Sequence, residues 1–134
     1  MPGSFIDTNV LAYLASSDTA KATQAEAVVA AGGTISVQVL NELANVARRK
    51  MRLSWVETHD FLAPIRALVS VVPLTAAIHD IGLALAEHYN LSIYDAMIAA
   101  AALEAGCDTL WSEDMQHGAV LQDRLRIANP FCVN

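Results

Sequence analysis

Cysteine, aromatic residues and charge are all scarce in this chain, and each scarcity removes a class of protein. Two cysteines, Cys107 and Cys132, cannot build a disulfide framework, and neither stands in a Cys-x-x-Cys pair or at zinc-finger spacing from a histidine. No redox or zinc chemistry is expected; Cys107, after an alanine-rich segment, reads as a small apolar residue. Eight aromatic residues against 24 alanines in 134 favour closely packed helices over an all-β sandwich. Charged residues make up only 16% and hydrophobic ones 54%, which excludes disorder as the general state. Long apolar runs are missing too: Ala27 to Asn41 carries no charge but is short and interrupted by glycine and polar residues, so no bilayer span is expected. Met1 to Phe5 has no basic segment leading into an apolar run, so no signal peptide is expected either. These absences point to a soluble, cytoplasmic protein with no membrane association, and the length suits one domain over residues 1–134.

Charge is also lopsided. A net charge of −6 argues against a protein that coats nucleic acid non-specifically. Yet four of the eight cations, Arg48, Arg49, Lys50 and Arg52, fall within five positions. An acidic total can conceal a local basic edge.

The order of patterns along the chain predicts strands alternating with helices. Ser4-Phe5-Ile6 is a short apolar run that ends at Asp7 and feeds helical spacing at Val10, Leu11 and Leu14. Asp18-Thr19 caps a second helix running to Ala31, before Gly32-Gly33. A strand at Thr34–Val37 leads into a helix to Lys50, and Ser54-Trp55-Val56-Glu57 has the capping-box form for the next, which Pro64 is expected to kink or divide. A third strand falls within Leu68–Leu74, followed by a helix from Thr75 to about Tyr89. Ser92-Ile93-Tyr94-Asp95 opens another helix, running to Gly106, and further strands are expected at Thr109–Trp111 and Leu125–Ala128, with a polar loop at Ser112–Gly118. The expected fold is α/β: a mostly parallel central sheet of four to five short strands flanked by helices.

In such sheets the site lies beyond the carboxyl ends of the strands. Asp7 ends the first strand and Asp114, with Glu113 beside it, follows the fourth. Asp95 lies in the first turn of a helix, and Glu42 lies roughly 8–9 Å along another from its start. Four carboxylates far apart in sequence thus point to one rim. Each also has a plainer role open to it. Asp7 suits a helix cap, Asp114 a loop acid, and Glu42 an intrahelical pair with Arg49 or a solvated position. Asp95 suits a capping-box acid, although it and Glu104 are the only charges from Ile93 to Ala105, a segment apolar enough to be buried on all sides. Two carboxylates 4 Å apart repel by about 4 kcal/mol at an effective dielectric near 20, so a cluster calls for a cation or shared protons. Oxygen-only ligands favour Mg²⁺ or Mn²⁺, which suits metal-assisted hydrolysis of a phosphodiester.

Phe5-Ile6-Asp7-Thr8-Asn9-Val10-Leu11, Asn41-Glu42-Leu43, Tyr94-Asp95-Ala96-Met97-Ile98-Ala99-Ala100-Ala101 and Leu110-Trp111-Ser112-Glu113-Asp114-Met115-Gln116-His117-Gly118 resemble, in order, the acidic motifs of PIN-domain nucleases. Length and order resemble the single-domain VapC-like toxins of type II toxin–antitoxin pairs. The resemblance implies a Mg²⁺-dependent endoribonuclease, with Mn²⁺ a plausible substitute. Asp7, Glu42, Asp95 and Asp114 would be its catalytic acids; Asp7, Asp95 and Asp114 hold the metal and Glu42 supports them. Water activated there would attack the RNA phosphate in line, leaving 5′-phosphate and 3′-hydroxyl ends. Asn9 and Ser112 match supporting positions. Some relatives carry a further acid after the fourth motif where Gln116 and His117 stand here, and Glu113 is the substitute at hand. The resemblance also implies a cognate antitoxin that blocks the site, and a homodimer.

Other residues have two readings. Arg48, Arg49, Lys50 and Arg52 complement a helix C-terminus or hold RNA phosphates. Trp55 and Trp111 pack in core or interface, or stack on bases. His117 suits a structural loop residue better than a general acid. Two rival functions stand beside the nuclease: a non-catalytic PIN-like RNA- or protein-binding module, and a phosphatase with Asp7 as covalent nucleophile. Against the second, such families usually carry another acid two residues on, where Asn9 stands.

Overall fold

The computed structural model describes residues 3–132. They form six strands, β1 (Ser4–Ile6), β2 (Thr34–Ser36), β3 (Ser70–Val72), β4 (Thr109–Trp111), β5 (Val120–Leu121) and β6 (Leu125–Ala128). Six α-helices accompany them: α1 (Thr8–Ala12), α2 (Thr19–Ala30), α3 (Val37–Arg49), α4 (Trp55–Leu68), α5 (Ala76–Tyr89) and α6 (Ile93–Glu104). A 3₁₀ turn, Tyr13–Ala15, prolongs the short α1.

The strands make one sheet in the order β3-β2-β1-β4-β6-β5, parallel except for the β5–β6 pair. The chain lays β2 and β3 to one side of β1 and then crosses to place β4 on the other. That reversal makes the carboxyl ends of β1 and β4 the point where neighbouring connections diverge and leave a crevice. The Asp7 N–H donates to the Trp111 carbonyl at 2.9 Å and ties these two strand ends together.

Phe5, Ile6, Ile35, Leu110 and Ile127 on the strands are buried in the core. The charge-poor α6 lies in the interior, with every residue from Ala96 to Leu103 buried. Gly82 of α5 permits close packing there, because a Cβ at that position would meet Met97 Sδ at 2.5 Å.

Two expectations needed correction. Of the kink or division expected at Pro64, division does not occur: α4 runs unbroken from Trp55 to Leu68, since a proline forfeits only one interior helix bond. The sheet also has six strands, one beyond the upper expectation. The extra strand is β5, two residues long, paired to β6 through a turn in which Gln122 and Asp123 both have positive φ. Hairpin turns of that kind are usually signalled by Asn-Gly or Asp-Gly, and Gln-Asp carries no such signal.

Candidate active site

The four acids stand on four separate elements: the β1–α1 junction, α3, α6 and the loop after β4. Asp7 is 3% exposed at the junction of β1 and α1, and it also caps that helix, its Oδ1 accepting the Thr8 N–H at 2.7 Å. Its Oδ2 accepts from Ser112 Oγ at 2.7 Å and from Asn9 Nδ2 at 3.2 Å. Ser112, buried just past β4, accepts in turn from the Met115 N–H at 3.2 Å. Asn9 Oδ1 accepts the Glu113 N–H at 3.1 Å. Asn9 and Ser112 therefore fasten the loop after β4 to the Asp7 carboxylate.

Glu42 does not pair with Arg49. Its Oε1 accepts from Thr8 Oγ1 at 2.6 Å and its Oε2 from Gln38 Nε2 at 3.1 Å. The same Gln38 nitrogen also donates to the Tyr94 carbonyl at 3.1 Å, which joins α3 to the first turn of α6. Thr8 and Gln38 escaped the sequence reading. Gln38 carried a usable signal, since it lies four positions before Glu42 on one helical face. Thr8 carried only its place beside Asp7.

The electrostatics show which acids feel one another. Burial pushes Asp7 up to about 6; Ser112 and Thr8 oppose the rise, while the charges of Asp95 and Glu42 add to it. Asp95, half-buried, is also raised: desolvation leads, a hydrogen bond from Ser92 opposes, and the charges of Asp114 and Glu42 contribute. Asp114 is exposed on the loop after β4. The four acids are thus linked through one field, Asp7 to Asp95 and Glu42, and Asp95 to Asp114 and Glu42.

Among the described residues, no three His, Cys, Asp or Glu side chains stand close enough as arranged to enclose one ion. The donor set still suits a hard divalent cation in kind. It is all carboxylate oxygen, and two of its members are held above their ordinary range partly by repulsion that a cation relieves. Mg²⁺ in particular keeps several waters and takes only one or two carboxylates beside substrate phosphates, so it needs no closed cage of protein ligands.

Other candidate residues lie apart from this field. The Glu113 carboxylate accepts from Tyr13 OH at 2.7 Å and pairs with Lys21 Nζ at 2.8 Å. Desolvation works to raise it, but the hydrogen bonds from Lys21 and Tyr13 and the Lys21 charge win, and the carboxyl is lowered. Arg48 donates to the Leu53 carbonyl at 2.6 Å and stacks 4.0 Å from the centre of the Trp55 ring. Arg49, Lys50 and Arg52 are exposed at and beyond the end of α3. Trp111 is half-buried and packs against the core. His117 Nδ1 accepts the Asn129 N–H at 2.9 Å, a loop-fastening role.

The fold is a mostly parallel sheet whose strand order reverses between β1 and β4, with acids at the end of β1, on α3, on α6 and in the loop after β4. The PIN-domain family model matches residues 4–120, and the chain belongs to that family. Solved structures agree in fold. VapC20 of Mycobacterium tuberculosis, a sarcin–ricin loop cleaving toxin, is 22% identical over 83% of this chain and 91% of its own, with a TM-score of 0.67. A toxin–antitoxin complex from Klebsiella pneumoniae gives 19% identity, 97% and 99% coverage and a TM-score of 0.73. FitAcB from Neisseria gonorrhoeae gives 17%, 97% and 99%, and 0.70. No curated protein matches the sequence. Among the described residues no helix is long and apolar enough to cross a membrane.

Proposed function

We propose that this chain is a divalent-metal-dependent endoribonuclease, the toxin of a toxin–antitoxin pair, acting from Asp7, Glu42, Asp95 and Asp114. The observation that carries the reading is the family match together with Asp7, buried at the end of β1 at the sheet's switch point and tied to Ser112, to Asn9 and, through Thr8, to Glu42. Beyond the effect of burial, the charges of Asp95 and Glu42 raise Asp7, and those of Asp114 and Glu42 raise Asp95; a cation or shared protons would relieve them, and the family favours the cation. The similarity to VapC20 and to toxin–antitoxin complexes supports the substrate class and a cognate antitoxin. A homodimer in the cytoplasm completes the proposal, with Mg²⁺ as the metal and Mn²⁺ able to replace it.

Asp7, Asp95 and Asp114 would hold the cation. When bound it supplies a Lewis acid for the phosphoryl oxygen and lowers the pKa of a coordinated water. Around it the protein's own groups have separate tasks. Ser112 and Asn9 fix the Asp7 carboxylate, with both of their donors on one oxygen. Glu42 is oriented by hydrogen bonds from Thr8 and Gln38, and its charge acts on Asp7 and Asp95. Asp114, exposed on the loop after β4, would meet the incoming phosphate. Glu113, neutralised by Lys21, serves through its backbone N–H to Asn9.

The test is incubation of the purified protein with end-labelled RNA in Mg²⁺, in Mn²⁺ and in EDTA. Cleavage in either metal, lost in EDTA and leaving 5′-phosphate ends, is the expected result. A second reading, the non-catalytic PIN-like binding module, has the spacing of the acids in its favour. RNA binding undiminished by EDTA, with no cleavage under any condition, selects it.

A further inference from the structure

The acidic rim uses Glu42 but leaves the open face of α3 beyond it without a role. Asn41, Ala44, Asn45, Arg48 and Arg49 line, with Trp55, a groove of about 470 Å³ between α3 and the start of α4. Trp55 is the unusual member, an indole 65% exposed. It is nonetheless held in place. Ser54 caps α4 beneath it, and Arg48 covers the ring at 4.0 Å from its centre. That guanidinium is itself pinned to the Leu53 carbonyl at 2.6 Å, and the Leu53 N–H returns to the Ala47 carbonyl at 3.0 Å. The indole is thus ordered before any ligand arrives, which lowers the entropic cost of binding.

Three features choose the occupant. The groove carries Arg48 and Arg49, with Lys50 and Arg52 just beyond, on a chain whose net charge is −6. This local concentration of cations favours a polyanion despite the acidic total. The side-chain amides of Asn41 and Asn45 offer both donors and acceptors, as base edges require. An open aromatic face flanked by cations stacks an unpaired base of any sequence, whereas a duplex keeps its bases stacked on one another. Position adds a fourth argument. Asn41 adjoins Glu42, and Glu42 and Arg49 lie one heptad apart on the same helix, about 10 Å along its axis. One strand laid along α3 reaches both the acids and the groove.

We infer that Trp55 and Arg48, with Asn41, Asn45 and Arg49, form a platform that stacks an unpaired base of single-stranded RNA beside the acidic site. The inference rests on the ribonuclease reading for its choice of RNA among polyanions. Trp55 and Trp111 are the only tryptophans, so Trp111→Phe leaves Trp55 as the sole indole reporter. That protein is titrated in EDTA, where nothing is cleaved, with single-stranded RNA of about a dozen randomised nucleotides and with a duplex of the same length. The expected result is quenching of Trp55 by the single strand and at least about tenfold weaker binding of the duplex. In the otherwise unchanged chain, followed by anisotropy of labelled RNA, Trp55→Ala weakens binding about tenfold and Trp55→Phe restores most of it. Arg49→Ala lowers the salt slope by about one phosphate contact.

Single-strand binding by Trp55→Ala equal to that of the parent overturns the platform, as does equal quenching by the duplex. Trp55 emission that follows protein concentration alone overturns it in favour of a second copy of the chain in the groove. The two readings fail separately. Trp55-dependent RNA binding without metal-dependent cleavage keeps the platform and removes the nuclease. Metal-dependent cleavage by Trp55→Ala with an unchanged KM does the reverse.

Discussion

Ser54-Trp55-Val56-Glu57 and Ser92-Ile93-Tyr94-Asp95 follow one pattern, a serine and an acid three positions on with two large apolar residues between, and each opens a helix. They end as different objects. At α4 the box closes both ways: the Glu57 N–H donates to Ser54 Oγ at 3.1 Å and the Ser54 N–H to Glu57 Oε1 at 2.8 Å. Its carboxyl is lowered, first by the Ser54 backbone bond. At α6 the Asp95 N–H donates to Ser92 Oγ at 3.2 Å, but among the described residues no return bond runs from the Ser92 N–H to the Asp95 carboxylate. Asp95 is one methylene shorter, half-buried and set among Glu42 and Asp114, and its carboxyl is raised. A local motif therefore specifies a helix start but not the work of its acid. Burial and distant neighbours specify that.

The sharpest way to break the comparison is to neutralise each acid in turn. Asp95→Asn is expected to lower kcat/KM for RNA cleavage by at least about a hundredfold, the scale of losing one preorganised electrostatic group. Glu57→Gln should stay within about twofold, since glutamine still closes a capping box. Asp95→Glu separates the two roles. It keeps the charge but lengthens the side chain toward the reach of a closed box, and its cleavage should fall with that of Asp95→Asn. Equal losses at positions 57 and 95 would sink the assignment of Asp95.

Metal binding tests the same contrast through stability. A ligand that binds only the native state adds about 4 kcal/mol at a thousandfold excess over Kd. Thermal unfolding in millimolar Mn²⁺ should raise the Tm of the wild type and of Glu57→Gln alike, and leave Asp95→Asn unmoved. A rise in all three places the ion elsewhere.

Much of this contrast was legible beforehand. The near absence of charge in α6 predicted the burial of Ala96 to Leu103, but the first turn is open, with Ile93 46% and Tyr94 70% exposed and Asp95 half-buried. Strand-ending Asp7 and the loop acid Asp114 followed from the alternation of patterns, which also defined the parallel sheet. What stayed hidden depended on contacts between residues remote in sequence. Glu113 reads as a spare acid until folding delivers Lys21 and Tyr13 to it from 92 and 100 positions away. Trp55 reads as a core or interface residue or a base-stacker, and Arg48 as a helix-end cation or a phosphate contact; the turn at Arg52, with its φ of 56°, instead sets Arg48 over a Trp55 that is 65% exposed. β5 stayed hidden for a different reason, since two residues are too few to carry an alternating pattern.

In metal-free protein the two regions should also respond to pH with opposite sign. Asp7 and Asp95 are raised in the folded state, so between the unfolded value and the folded one the native protein holds more protons. Stability then falls as pH rises, and for Asp7, lifted from 3.8 to about 6, the loss is about 3 kcal/mol across that interval. Glu57 is lowered, so its contribution is present above its unfolded pKa and disappears as pH falls through the folded one. Urea unfolding in EDTA from pH 4 to 7 measures the slope. Asp95→Asn should make it shallower, and Glu57→Gln should leave the decline toward pH 6 in place. A wild-type stability that increases over the same interval contradicts the raised carboxyls.

The smallest effect tests whether the two helix starts are equivalent once their acids are set aside. Each serine accepts an N–H from the residue three positions on, and losing such a cap costs about 1 kcal/mol. Ser54→Ala and Ser92→Ala should therefore destabilise by similar amounts, seen as a lower urea midpoint at unchanged m-value. The consequences for the acids differ. Ser54→Ala leaves Glu57 exposed and solvated, with its backbone bond still available. Ser92→Ala deletes a hydrogen bond that opposes desolvation of Asp95, so in the metal-free protein that carboxyl should titrate still higher. A carboxyl-carbon NMR titration reads both positions in one experiment. An upward shift at Asp95 in Ser92→Ala shows that the serine at α6 serves the acid as well as the helix, whereas an unmoved Asp95 leaves it a cap and nothing more.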